Sequence, residues 1–137
     1  MKIAINKCWG GFGLSHAAIM RYAEISGVPL YPFVNTKKSD GGTNFDIFEP
    51  YIGQKAYSIH YSTQPLKDDG KYEDNSYWYY GSLERNDPIL IQVIEELGEK
   101  ASGDLSKVVI KDIPDGIEYE IDDYDGMETI HEKHQSW

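Results

Sequence analysis

The chain has a single cysteine, Cys8, among 137 residues. One thiol cannot close an intramolecular disulfide, so a bridged scaffold of the secreted kind is excluded and the reducing cytoplasm is the expected location. Long apolar runs are equally scarce. No stretch approaches the roughly eighteen apolar residues that a membrane helix needs, and Met1–Lys7 is too short and too polar for the core of a signal peptide. Positive charge is in deficit as well, with 13 Lys and Arg against 23 Asp and Glu and a formal charge of −10. Such a field repels long polyanions, which argues against DNA or RNA as a polymer ligand. A small phosphorylated ligand remains compatible, because charges are screened over about 8 Å and a pocket sets its own potential.

What is present begins with length. At 137 residues the chain fits one domain, 1–137, able to bury its own core without a staple. Eleven tyrosines and three tryptophans are the unusual part of the composition. These side chains offer large amphipathic contacts at low entropy cost, which suits a sheet-based core, a ligand pocket or a subunit interface. The acids are unevenly placed, since Asp112 to Glu128 holds eight carboxylates and no Lys or Arg.

Periodicity predicts a strand over Met1–Asn6, a glycine-rich loop, and a helix capped by Ser15 with Ile19, Tyr22 and Ala23 on one face. Val28–Val34, with two prolines, reads as an edge strand, and Asn35–Gly42 as a polar, mobile loop. Strands are expected over Ala56–Tyr61 and Tyr77–Tyr80. Asp87-Pro88 is a strong helix start, and Leu90, Val93, Ile94 and Leu97 form the apolar stripe of a helix over Pro88–Ala101. Val108–Ile110 and Ile117–Ile121 read as strands, and Met127–His134 as a short terminal helix. The resulting expectation is an α+β fold in which two main helices pack on one face of a mostly antiparallel sheet, with that short C-terminal helix added.

Four motifs bear on chemistry. Three glycines in Trp9-Gly10-Gly11-Phe12-Gly13 lie between a strand and a helix start, where backbone N–H groups could cradle a phosphate or simply make a tight turn. The spacing is neither the dinucleotide fingerprint nor a Walker loop. In Glu84-Arg85-Asn86-Asp87-Pro88, Arg85 and Asn86 can offer a planar fork and an amide to a ligand while Asp87 caps the helix. Tyr77-Trp78-Tyr79-Tyr80, as a strand, places alternate rings on opposite faces. His131 and His134 would share a helical face with Glu128 nearby, but without the His-Glu-x-x-His spacing. No catalytic residue, metal site or cofactor is therefore assigned, and no turnover is expected.

Asn6-Lys7-Cys8-Trp9-Gly10-Gly11-Phe12-Gly13-Leu14-Ser15, Glu84-Arg85-Asn86-Asp87-Pro88 with Glu95-Glu96-Leu97-Gly98, and Tyr124-Asp125-Gly126 through Glu132-Lys133-His134 together resemble a family of small phage and prophage proteins. Within that setting the chain looks like the anti-defence proteins that inhibit the Thoeris system by sequestering its cyclic ADP-ribose signal, some of which also hold cyclic oligonucleotides of the CBASS defence. The resemblance implies a homo-oligomer in the cytoplasm of an infected bacterium, with nucleotide pockets near subunit interfaces and no cleavage of the messenger. It assigns no site residue. From the residues themselves, the expected ligand site takes stacking from Trp78 or Tyr80, charge from Arg85 and an edge contact from Asn86, with Gly10, Gly11 and Phe12 as a second element. On this expectation Arg85 matters more to the ligand than to folding. The rival reading is a phage inhibitor that binds a host protein directly through its acidic C-terminal half.

Overall fold

Lys2–Asn6 (β1) alternates Ile3 and Ile5 with Ala4 and Asn6, and all four are buried. β1 pairs antiparallel with Val108–Asp112 (β6), from Lys2 opposite Asp112 to Asn6 opposite Val108. The computed structural model describes residues 1–40, 43–55 and 58–133. The fold is α+β, and every strand pair among the described residues is antiparallel. The chain divides into two compact units, Met1–Ser26 with Tyr80–Trp137, and Gly27–Tyr79.

In the first unit, His16–Ser26 (α1) starts where Ser15 Oγ accepts from the Ala18 N–H at 3.1 Å. It buries Ala18, Ile19, Tyr22 and Ala23. Pro88–Leu97 (α2) is capped by Asp87, whose Oδ1 accepts from Ile89 N and Leu90 N at 2.8 and 3.3 Å. Such a cap contributes about 1 kcal/mol. The Tyr22 hydroxyl donates to the other oxygen of that carboxylate at 2.6 Å, so α1 grips the cap of α2. Leu90, Ile91, Val93 and Ile94 are buried, as the stripe requires, and a short 3-10 turn over Gly98–Ala101 completes the helical segment. The chief helix contacts run from α2 to β1 and β6 and from α1 to α2.

Tyr119–Tyr124 (β7) and Met127–Glu132 (β8) close a two-residue hairpin, with Tyr124 opposite Met127. The expected terminal helix over Met127–His134 is therefore corrected to a strand, with His134 outside the described residues. Asp125 and Gly126 both have positive φ, +52° and +89°, the type I′ turn that Asp-Gly favours. Once that turn forms, β8 alternates, with Glu128 and Ile130 facing inward and Thr129 and His131 outward.

The second unit is a four-stranded sheet in which Thr43–Pro50 (β3), Tyr31–Asp40 (β2), His60–Ser62 (β4) and Tyr77–Trp78 (β5) stand in the order β3-β2-β4-β5. Two expectations are corrected here. The stretch read as a mobile loop over Asn35–Gly42 continues β2 as far as Asp40, paired with β3, with Gly41 and Gly42 outside the described residues. A ladder is made of main-chain donors and acceptors, which polar residues supply as readily as apolar ones. Nor is β2 an edge strand. Pro32 is tolerated because its main-chain polar side faces past the end of β3, where its carbonyl accepts from Tyr51 N at 2.9 Å and no ladder N–H is required. Of the expected strand Ala56–Tyr61 only its end is seen, in β4, with Ala56 and Tyr57 outside the described residues. The strand expected over Tyr77–Tyr80 stops at Trp78, and Tyr80–Ser82 forms a 3-10 turn.

Candidate functional site

Three motifs far apart in sequence meet in the first unit. Asn6, at the end of β1, is wholly buried and its amide is fully used. Nδ2 donates to the carbonyls of Cys8 and Gly126, both at 2.6 Å, and Oδ1 accepts from Cys8 N at 3.2 Å and Lys107 N at 2.8 Å. Two donors and two lone pairs exhaust what a primary amide can do. The side chain thus ties the glycine-rich loop to the β7–β8 turn and to the entry of β6.

The two turns pack without room for side chains. A Cβ on Gly126 would collide with Gly11 N and the Trp9 carbonyl, and one on Gly10 with the Leu105 carbonyl. Gly10 and Gly11 are thus drawn into backbone packing against other turns. Above this contact two rings are left in solvent, Trp9 at 58 % and Tyr124 at 75 % exposure, edge to face with centroids 5.8 Å apart.

Beneath the loop lies an ion pair. Glu128 of β8 is 4 % exposed, and its carboxylate accepts from Arg85 Nη1 at 2.6 Å, Arg85 Nη2 at 2.8 Å and the Asn6 backbone N–H at 2.8 Å. Nη1 also donates to the Ala4 carbonyl at 3.2 Å, and the guanidinium carbon lies 3.7 Å above the centre of the Phe12 ring. Tyr80 joins the group, its ring 6.2 Å from that of Phe12 and tilted by 52°. Arg85 spends three of its five N–H donors on Glu128 and Ala4, leaving Nε–H and one Nη2 hydrogen without an acceptor among the described residues. Phe12, Tyr80 and Arg85 are each half-buried.

The expected site residues therefore separate. Phe12, Tyr80 and Arg85 come together, with Gly10 and Gly11 on the loop that carries Phe12. Asn86 lines an open depression at the start of α2 with Glu84, Asp87, Pro88 and Ile89, whose two carboxylates make it unsuited to phosphate. Trp78 belongs to the second unit, in edge contact with Tyr61 at 6.3 Å. Glu128 had no sequence signal as a partner of Arg85, because a carboxylate in an acidic run reads as solvated until the strand turns it inward.

The second unit has its own aromatic cluster. Phe33, 1 % exposed, is stacked by His60 and Tyr72 at 5.5 and 5.7 Å and met edge-on by Phe48. His60 Nδ1 shares a hydrogen bond with the Tyr77 hydroxyl at 2.8 Å. Burial raises the Tyr77 phenol above its ordinary value, helped by the neighbouring Tyr72 and Tyr79.

Among the described residues no helix is long and apolar enough to cross a membrane. No family model, curated protein or solved structure matches this chain.

Proposed function

We propose that the protein is a non-catalytic binder that sequesters a small cyclic nucleotide signal, a cyclic ADP-ribose isomer or a cyclic oligonucleotide, as a phage anti-defence protein acting in the host cytoplasm. The observation that carries this reading is the convergence of Phe12, Tyr80 and Arg85, two half-buried rings beside a cation with two donors left over. Aromatic faces stack a base, at about 1–3 kcal/mol per base, and the remaining Arg85 donors suit a phosphate or ribose oxygen. The pairing with Glu128 neutralises most of the guanidinium charge, so stacking and hydrogen bonding, rather than long-range attraction, supply the affinity. A homo-oligomer accords with the exposed Trp9 and Tyr124, which a second subunit would cover.

The test is a thermal-shift panel of cyclic nucleotides and cyclic ADP-ribose isomers, followed by denaturing extraction of the bound compound. A ligand at a hundred times its Kd stabilises by about 2.7 kcal/mol and should be recovered chemically unchanged. Tyr80→Leu, which leaves the ion pair in place, should weaken binding about tenfold. Accumulation of a processed product would refute the non-catalytic reading. A flat panel would refute nucleotide binding and favour the second reading, a basic host protein recognised by the acidic outward face of the β7–β8 hairpin, where Glu120, Asp122 and Tyr124 stand exposed.

A further inference from the structure

The outward face of the β7–β8 hairpin holds a second constellation that the nucleotide reading does not use. Glu120 stands directly opposite His131 in the ladder, and Asp122 lies two residues along β7 on the same face. One ligand atom from each lies within 4.8 Å of the other two, and His131 Nε2 is 2.7 Å from Asp122 Oδ2. We propose that Glu120, Asp122 and His131 form a binding site for a divalent transition-metal ion of the zinc class.

The donor set suits that ion. Zinc takes imidazole nitrogen and carboxylate oxygen at about 2.0–2.2 Å, so two ligands on one ion stand about 3.4 Å apart in a tetrahedron. Small rotations about exposed χ angles bring the three atoms to that spacing, and solvent fills the fourth position. The imidazole discriminates against calcium and magnesium, which prefer oxygen throughout.

The backbone frame is held from behind, because Glu128 on the opposite face is clamped by Arg85 and Asn6. Among the described residues no lysine or arginine makes an ion pair with Glu120 or Asp122. The Glu120 carboxylate has no hydrogen bond or ion pair among the described residues, and the only ion pair of Asp122 there is with His131 itself. A helical reading of this segment would have grouped His131 with His134 and Glu128. The strand instead turns Glu128 inward and gives His131 two carboxylates from the neighbouring strand.

This site is independent of the nucleotide reading and is tested without a nucleotide. Zinc chloride titrated calorimetrically into the full chain should bind at one equivalent with micromolar affinity. His131→Ala and Asp122→Asn should each weaken binding at least roughly tenfold while leaving the metal-free unfolding midpoint unchanged, since both side chains are exposed. Glu132→Gln, on the other face of β8, should leave zinc affinity unaltered and so separates a defined site from diffuse acidic attraction. Equal zinc binding by wild type and His131→Ala, equal competition by magnesium, or no saturation below about 100 µM zinc would each overturn the proposal.

Discussion

Replacing Arg85 by methionine should destabilise the fold strongly, and the size of the effect follows from what it leaves behind. Glu128 would keep one hydrogen bond of three, from Asn6 N, while remaining almost wholly buried. Stranding one charge of a buried pair costs about 3–5 kcal/mol, and loss of the contact over Phe12 adds about 0.5–2 kcal/mol. The converse change, Glu128→Leu, should cost less, because Arg85 is partly exposed, 23 % at its side chain, and can turn toward water. The double variant removes both charges and should be more stable than the sum of the single effects by about 2 kcal/mol. Urea unfolding followed by tryptophan fluorescence gives all four stabilities, and Arg85→Met should lower the thermal midpoint by roughly 10–20 °C. Additive effects, or an Arg85→Met change within about 0.5 kcal/mol of wild type, would show the pair to be a solvated surface contact and refute the reasoning. On this geometry Arg85 serves folding whatever it does for a ligand, so Tyr80→Leu is the cleaner probe of binding.

The Tyr22 phenol is pushed up to about 12, first by burial and then by its hydrogen bond to the Asp87 carboxylate. Because the folded value is raised, its contribution to stability is complete below the ordinary phenol value of 10.0 and is lost as pH rises through about 12. Phenolate absorbance should accordingly show one tyrosine titrating late in wild type and missing in Tyr22→Phe, and an unchanged titration curve would remove the assignment. Gly126→Ala should cost more than about 2 kcal/mol, since it combines a left-handed residue with a collision against the Trp9–Gly11 backbone. A midpoint within 2 °C of wild type would mean that the two turns are not packed as described.

Local signals in the sequence carried the helices. Ser15 and Asp87-Pro88 announce helix starts through bonds made within three residues, and the α2 stripe repeats at helical period because that helix buries one side. The α+β class follows from the same short-range patterns. The β7–β8 hairpin was only half legible: Asp125-Gly126 is a turn signal, yet the residues after it carry charges at spacings that a helix also accepts. What decides between strand and helix is the burial of Glu128, which depends on Arg85, 43 residues away, and on Asn6, 122 away.

The same division holds for the candidate sites. Composition alone determined an acidic chain with one thiol and an excess of aromatic rings, and so determined which ligand chemistries are compatible with it. Only the tertiary structure decided which rings stand beside Arg85, that its charge is spent on Glu128, and that His131 faces two carboxylates of the neighbouring strand. The reason is physical: hydrogen bonds within a few residues are dictated by neighbours in the chain, whereas the partner of a buried charge is set by strand register and by which face each residue turns inward.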